Sequence, residues 1–488
     1  MAGLSDQIYK RAPVALQNVM VSTYGWRWHR LRFGGQFEAE CRGFREREGF
    51  SREQWDAYTE TQLRSILTTA FQRVPHYQQA WKGLVTLAQL ERFTVRDMPA
   101  LPPLEKSVAR DDLHSLLIDG KPDKRHMVFH TSGSTGTPVA TYWLPQELQR
   151  SLAIRETRAC AFAGVSYKMP RATFSGRMVE PNPESKGPFH RYNWSEKQVY
   201  FSAFHLRPET APLYVDALRR HQIRWLTGYS NSIYQLAQMV LDQHLNAAPL
   251  KAVITTSEKV TPEMRAVIER AFATQVFEEY GAVEEVFFVS ENQQGRKLIS
   301  PDAGLLEIVD DEFRACDAGT DGEVLATGFI RPSQPMIRYR IGDRASFDTT
   351  PSDDGHHMPI LREIIGRSED TVYGIDSRRM VRFHGIFVDQ PHIREGQIVQ
   401  KSLDHIHVKV VPKPGFSDSD ERDVVARVHQ RLTTNMRVTV EQVASIERTG
   451  AGKFRAVVSE LSPDELNKVK AIPQSLGVQN PSDANIDD

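Results

Sequence analysis

Leu63, Ile66, Leu67, Ala70, Phe71 and Val74 follow the i, i+3, i+4, i+7 repeat, which places apolar side chains on one face of an α-helix. Ser51, with Gln54 three residues later, has the capping-box form that satisfies orphan N–H groups at a helix start. Residues 1 to about 100 therefore read as mainly helical, and Pro102-Pro103 closes this segment. From about 125 to 345, short apolar runs alternate with helical stripes, which predicts an α/β class with helices layered around mixed sheets. Val253-Ile254-Thr255-Thr256 reads as a strand. Thr261 and Pro262 suit the N-cap and first position of a helix whose Met264, Val267, Ile268, Ala271 and Phe272 face one way. Gln275-Val276-Phe277 returns as a strand that leads into Tyr280-Gly281. After about 370 the pattern changes to a small α+β unit. Ile406, Val408 and Val410 alternate with His407 and Lys409; Val424, Val425, Val428 and Leu432 form a helical stripe; Val438 and Val440 alternate again.

A chain of 488 residues is too long for one ordinary core, so two or more domains are expected. Its 40% apolar and 25% charged residues match a soluble globular composition. The formal net charge of -1 gives no whole-molecule case for nucleic-acid binding. No apolar run approaches the roughly 18 residues of a transmembrane segment. Met1 to Asp6 shows no secretory pattern. Cys41, Cys160 and Cys316 are widely spaced, which argues against a disulfide framework or zinc site and fits a reducing compartment. A cytoplasmic location is expected. Nothing in the pattern bears on oligomeric state.

Four short segments carry candidate chemistry. Thr131-Ser132-Gly133-Ser134-Thr135-Gly136-Thr137-Pro138 combines hydroxyls with glycines that let backbone N–H groups approach phosphate oxygens. It lacks the Walker A spacing, which disfavours a P-loop NTPase. Tyr280-Gly281-Ala282-Val283-Glu284, Arg338 to Asp343, and Gly366-Arg367-Ser368-Glu369-Asp370 follow in that order, with Gly452-Lys453 near the end. Taken alone, each is no more than a turn or a solvated charge, a lone lysine above all. A carboxylate at Asp343 accepts hydrogen bonds from two hydroxyls. A flat ring at Tyr280 suits stacking.

Taken together and in this order, these segments resemble the adenylate-forming superfamily of acyl-CoA synthetases, luciferases and peptide-synthetase adenylation domains. Val74-Pro75-His76-Tyr77, Leu101 to Lys106, Gln198 to His205, Leu226 to Ser230 and Gly396 to Gln400 narrow the resemblance to the phenylacetate–CoA ligase-like branch, and within it to the CapK-type members associated with capsular polysaccharide. The resemblance covers nearly the whole chain. It implies ATP and Mg2+ as reactants, with Thr131, Ser132, Gly133, Ser134, Thr135, Gly136 and Thr137 at the phosphates. Thr137 stands where a common variant has lysine. It further implies Ser257, Glu258, Tyr280 and Gly281 around adenine, Asp343 on the ribose, Arg367 on the nucleotide, and Glu284 as the Mg2+ ligand. Lys453 would be the catalytic lysine, and Glu369 the hinge position.

The same resemblance implies an N-terminal adenylation domain over 1–366, a hinge over 367–370 and a small mobile domain over 371–471, while the polar and acidic composition of 472–488 reads as a tail. Its chemistry would be ATP plus a carboxylic acid giving acyl-adenylate and pyrophosphate. The acyl group then passes to a thiol, coenzyme A being the commonest acceptor. Transfer to an amine or hydroxyl acceptor, with an amide or ester as product, is the alternative; a nucleotide-binding scaffold with little turnover is a third. His205, Gly228 and Tyr229 are candidates for the acyl pocket. Arg177, Arg191, Tyr192 and Trp194 lie in a segment, Phe174 to Tyr200, that would either shape that pocket or form a surface excursion. The identity of the acid is not written in linear spacing.

Overall fold

A computed structural model describes residues 8–9, 11–130, 139–177, 179–180, 182, 185–350, 352, 354–367, 372–375, 379–380, 384–387, 390–432, 435–448, 454–462 and 464–465. The expected tail, 472–488, lies outside them. The chain divides into two compact units, Met1–Gly366 with Arg448–Phe454, and Arg367–Glu447 with Arg455–Asp488.

The helix Arg52–Arg73 opens the larger unit's main core. Ser51 accepts from the Gln54 N–H and Gln54 returns the bond to Ser51, completing the capping box. Leu63, Ile66, Leu67, Ala70 and Val74 are buried, with Phe71 packed at the margin. They join Val286, Phe287, Leu306 and Tyr339 in one cluster.

Among the described residues, twelve strands form a single mixed sheet. Its parallel block runs Gln198–Ser202, Arg171–Ser175, Trp225–Tyr229, Ala252–Thr256, Val276–Gly281. His190–Asn193 adds antiparallel at one side. At the other side follow Phe288–Glu291, Lys297–Ile299, Ile360–Arg367, Tyr339–Phe347, Gly322–Gly328 and Gly304–Val309. The crossover helices Ala211–Arg220, Ser230–Asp242 and Pro262–Phe272 bury apolar faces against Phe174, Leu226 and Val253 in a second core. Thr261 caps the last of them by accepting from the Met264 N–H at 3.2 Å, and Pro262 occupies its first turn.

Within the Phe174 to Tyr200 segment, the strand His190–Asn193 forms one margin of the large sheet and pairs with Gln198–Ser202.

The smaller unit has a four-stranded sheet ordered Arg437–Gln442, His405–Pro412, Ile393–Ser402, Val457–Ser459. Ile406, Val408 and Val410 point inward on alternate positions and meet Val424 and Val428 from the Asp418–Arg431 helix and Leu432 at its C-cap. Both periodicities therefore converge on one core.

Candidate active site

The carboxyl ends of the parallel strands lie along one margin of the sheet, where diverging loops leave a crevice for ligands in open α/β folds. Tyr229 pairs with Thr256, and Thr256 with Glu279, so these positions form a row across three strands. Gly228, Tyr229, Ser257, Glu258, Tyr280 and Gly281 are thereby brought to the same end of the sheet. Gly228 has φ +126°, and a Cβ there would stand 1.8 Å from the Phe174 carbonyl oxygen on the adjacent strand. Only glycine permits that approach. Ser257 at φ 71° and Glu285 at φ 47° also adopt left-handed backbone in the loops that follow, the kind of local strain that clusters where a fold positions chemistry.

Two phenol–carboxylate bonds cross between the same two segments. The Tyr280 hydroxyl donates to Asp343 Oδ2 at 2.8 Å. The Tyr339 hydroxyl donates to Glu284 Oε1 at 3.0 Å. Each segment therefore supplies one phenol and one carboxylate. Asp343 lies within the strand Tyr339–Phe347 rather than on a turn, and it is 9% exposed. Between Tyr339 and Asp343 the pairing with Gly322–Gly328 shifts register and Gly342 has φ +82°, so an irregularity in the strand sets the direction of Asp343. The Tyr280 ring packs at 4.6 Å against Phe287.

Glu284 and Glu285 are both buried, but their surroundings differ. Glu285 accepts from Ser151 Oγ at 2.8 Å and pairs with Arg155 at 3.4 Å. Glu284 Oε2 takes no hydrogen bond among the described residues. Mg2+ prefers oxygen, keeps several waters and takes phosphate oxygens, so a single available carboxylate oxygen is an adequate protein contribution. Glu284 fits that requirement; Glu285 is committed to an ion pair.

Behind this pair sits Arg331, which is 2% exposed. Its Nε donates to the Glu284 carbonyl at 3.0 Å and its Nη1 to the Tyr142 carbonyl at 3.3 Å. Its guanidinium also lies 5.1 Å from the centre of the Trp143 ring. Burial pushes its pKa down to about 10, against the pull of Glu147, Glu284 and Glu285, so it is a cation at neutral pH. Tyr142 and Trp143 lie on the strand Ala140–Trp143, which pairs antiparallel with Met127–His130; the glycine- and hydroxyl-rich segment stands between the two in sequence. Arg331 thus ties the end of this strand pair to the backbone at Glu284.

Glu258 is held by donors from the protein. Its Oε2 accepts from the Asn231 N–H at 3.0 Å and the Ser230 hydroxyl at 3.3 Å, at the start of the Ser230–Asp242 helix, where a negative charge is favoured. Its Oε1 accepts from the Phe454 N–H at 3.0 Å. His205 is buried with both ring nitrogens engaged, Nδ1 by Ser202 Oγ at 2.8 Å and Nε2 by the Asn182 carbonyl at 3.0 Å. Its ring stacks on Phe189 at 4.9 Å. Tyr229 is buried as well, and burial raises its phenol pKa, opposed by a hydrogen bond with the Gly176 backbone.

The Arg191 side chain is spent on structure. It pairs with Glu180 at 2.9 Å and donates to the Pro188 and His190 carbonyls. Tyr192 stacks on His221 at 4.2 Å. Arg177 lies 4.9 Å over the Tyr200 ring on the side of the sheet that carries Tyr229.

Thr131, Ser132, Gly133, Ser134, Thr135, Gly136, Thr137, Glu369 and Lys453 lie outside the described residues, and of Arg367 only the backbone, in the strand Ile360–Arg367, is described. Sequence reasoning did not single out Tyr339 or Arg331. Tyr339 stands in the same short segment as Asp343, which was a usable signal; Arg331 carried none.

Residues 378–460 match the family model described as the CapK C-terminal domain. Protein CapK of Staphylococcus aureus is 26% identical over 469 residues, covering 93% of this chain and 99% of that protein. Among solved structures, 2-hydroxyisobutyryl-CoA ligase in the postadenylation state with R3-HIB-AMP superposes with a TM-score of 0.66 at 20% identity, covering 87% of this chain and 93% of that one. The same ligase with 2-HIB-AMP and CoA in the thioesterification state gives 0.53 at 21% identity, over 86% and 93% of the two chains.

Proposed function

We propose that this chain, a CapK homologue with the fold of the adenylate-forming ligases, activates a carboxylic acid with ATP and passes the acyl group to a thiol. The observation that carries this reading is the crossed pair Tyr280–Asp343 and Tyr339–Glu284 at the carboxyl end of the parallel strands. It sets two carboxylates with different tasks side by side. Asp343, oriented by Tyr280, is suited to accept from ribose hydroxyls. Glu284, oriented by Tyr339, is suited to hold Mg2+, which would neutralise charge on the phosphates.

In the first half-reaction an oxygen of the substrate carboxylate attacks the α-phosphorus. The bond from that phosphorus to the bridging oxygen breaks, and pyrophosphate leaves. Charge accumulates on the α-phosphate in the transition state, and Lys453 is assigned to meet it there. In the second, the thiol sulfur attacks the acyl carbon and AMP leaves. Glu258 and Tyr229 serve by holding the backbone that frames the site: Glu258 anchors the start of a helix, and Tyr229 continues the buried row at the strand ends. Coenzyme A is the proposed thiol, and an amine or hydroxyl acceptor is the competing assignment.

The testing experiment is acid-dependent pyrophosphate release, with acyl-AMP detected by mass spectrometry after incubation with a metabolite extract, ATP and Mg2+. Acyl-AMP that turns over on adding coenzyme A supports the reading. Release of AMP with an amine and none with coenzyme A would move the acceptor to the alternative. ATP binding with no AMP formed from any acid would leave a scaffold role. Lys453→Ala should slow adenylation by about two orders of magnitude or more; a full rate would remove the role given to that lysine.

A further inference from the structure

The Val14–Phe33 helix turns a polar face inward. Gln17, Ser22 and Gly25 are its buried residues. Gln17 Nε2 donates to the Tyr9 carbonyl at 2.8 Å, and Ser22 Oγ accepts from the Trp194 N–H at 3.1 Å. Its outward side is the reverse. Leu16, Val19, Met20 and Trp26 recur with Arg27 and Arg30 at i, i+3, i+4, i+10, i+11 and i+14, which puts them on one stripe. Leu16 is 46%, Val19 45% and Trp26 55% exposed.

The charge of this region is one-sided. Between Asp6 and Glu38 the sequence has Lys10, Arg11, Arg27, Arg30 and Arg32 and no acidic residue, in a chain whose net charge is -1. Arg32 is neutralised by Glu196. The Arg30 guanidinium lies 5.2 Å from the Trp26 ring.

We propose that the outward face of this helix docks on an anionic lipid surface. Leu16, Val19 and Trp26 offer exposed apolar side chains to a headgroup region, and Arg27 and Arg30 beside them offer cations to anionic lipid. There an indole finds both apolar and polar surroundings, and each cation gains from the negative surface potential. A second copy of the chain is a poorer occupant. A two-fold contact sets the same patch against itself, and this one would oppose arginine to arginine with no acid in the helix to compensate. The inference is independent of the proposed reaction and needs no membrane-spanning element; no helix among the described residues is long and apolar enough to be one.

The experiment is cosedimentation of the full chain with phosphatidylglycerol–phosphatidylcholine vesicles and with phosphatidylcholine vesicles alone. Binding is expected only with the anionic vesicles, falling at about 0.5 M salt as charges are screened. Arg27→Glu with Arg30→Glu should lower the partition coefficient at least about tenfold, and so should Leu16→Ser with Trp26→Ser. All four side chains leave the helix outward, and unchanged circular dichroism and melting would verify the fold of each variant. Failure to bind phosphatidylglycerol vesicles, or full binding by both double variants, overturns the proposal. So does a wild-type dimer in sedimentation velocity that Trp26→Ser dissociates, because the face would then be a self-interface.

Discussion

Tyr280 donates a 2.8 Å hydrogen bond to Asp343 although three strands stand between theirs in the sheet order. Adjacent strands lie about 4.8 Å apart, so four spacings in a flat sheet would separate them by roughly 19 Å. A phenol and a short carboxylate cannot bridge that distance. The sheet must curl between the two strands, and Val286, Phe287, Tyr339 and Ile341 belong to the core cluster of this region. Burial of apolar side chains thus sets the distance between two polar ones, and the curl is the means by which segments far apart in sequence share one site.

Loss of the Asp343 carboxylate should fall on ATP. Hydrogen bonds to a charged group contribute about 1.5–3 kcal/mol, so Asp343→Ala is expected to raise the KM for ATP by about tenfold or more, with a much smaller change for the acid. Tyr280→Phe should give a rise of about threefold by removing one donor that orients the carboxylate. Steady-state kinetics with each substrate varied in turn makes the comparison. Equal rises for ATP and acid would make Asp343 a structural residue.

Glu284 and Glu285 should separate under metal titration. Glu284→Gln is expected to move the Mg2+ dependence of pyrophosphate release to concentrations at least about tenfold higher, with Tyr339→Phe giving a smaller shift in the same direction. Glu285→Gln removes one partner of the Arg155 ion pair and should lower stability while leaving the Mg2+ midpoint in place. A shift with Glu285→Gln and none with Glu284→Gln would reverse the assignment.

Gly228→Ala places a methyl 1.8 Å from a backbone oxygen at φ +126°. Overpacking and backbone strain together predict a loss of about 3 kcal/mol in urea denaturation. Gly83 has φ +79° with nothing within 4 Å of an added Cβ, so Gly83→Ala should cost about 1 kcal/mol. Similar losses at the two sites would show that the Phe174 strand yields easily.

His190 supplies a pH dependence. Burial, then His221, Arg191 and Arg220, push its pKa down to about 4 from an unfolded value near 6.5. Between those values the unfolded chain holds the additional proton, so this contribution to stability falls as pH drops from about 6.5 toward 4. Denaturant midpoints measured across that window should show the slope, and His190→Phe should reduce it by up to about one proton. An unaltered slope in that variant would assign the uptake to other groups.

Much of the local structure was legible in the sequence because local rules act over a few residues. The Ser51 capping box, the Thr261-Pro262 helix start, the Leu63 to Val74 stripe and the alternation through Val410 all describe contacts within one element. The order of motifs from Tyr280 to Arg367 likewise pointed to the adenylate-forming fold. The structure corrected one local reading: Asp343 lies within a strand rather than on a turn. In the segment after Phe174, the strand His190–Asn193 pairs at one margin of the sheet.

What the sequence determined by itself was therefore the type of most elements and the residues with chemistry to offer, since periodicity, capping and side-chain identity need no distant partner. Tertiary structure alone decided which of two adjacent glutamates remains available, Glu284 or Glu285, because Ser151 and Arg155 reach only the second. It alone placed Arg331 beneath the site and brought Tyr280 to Asp343. Those relationships depend on how a twelve-stranded sheet bends around its core, and that bend is the sum of many packing contacts, none of which is written at the residues it brings together.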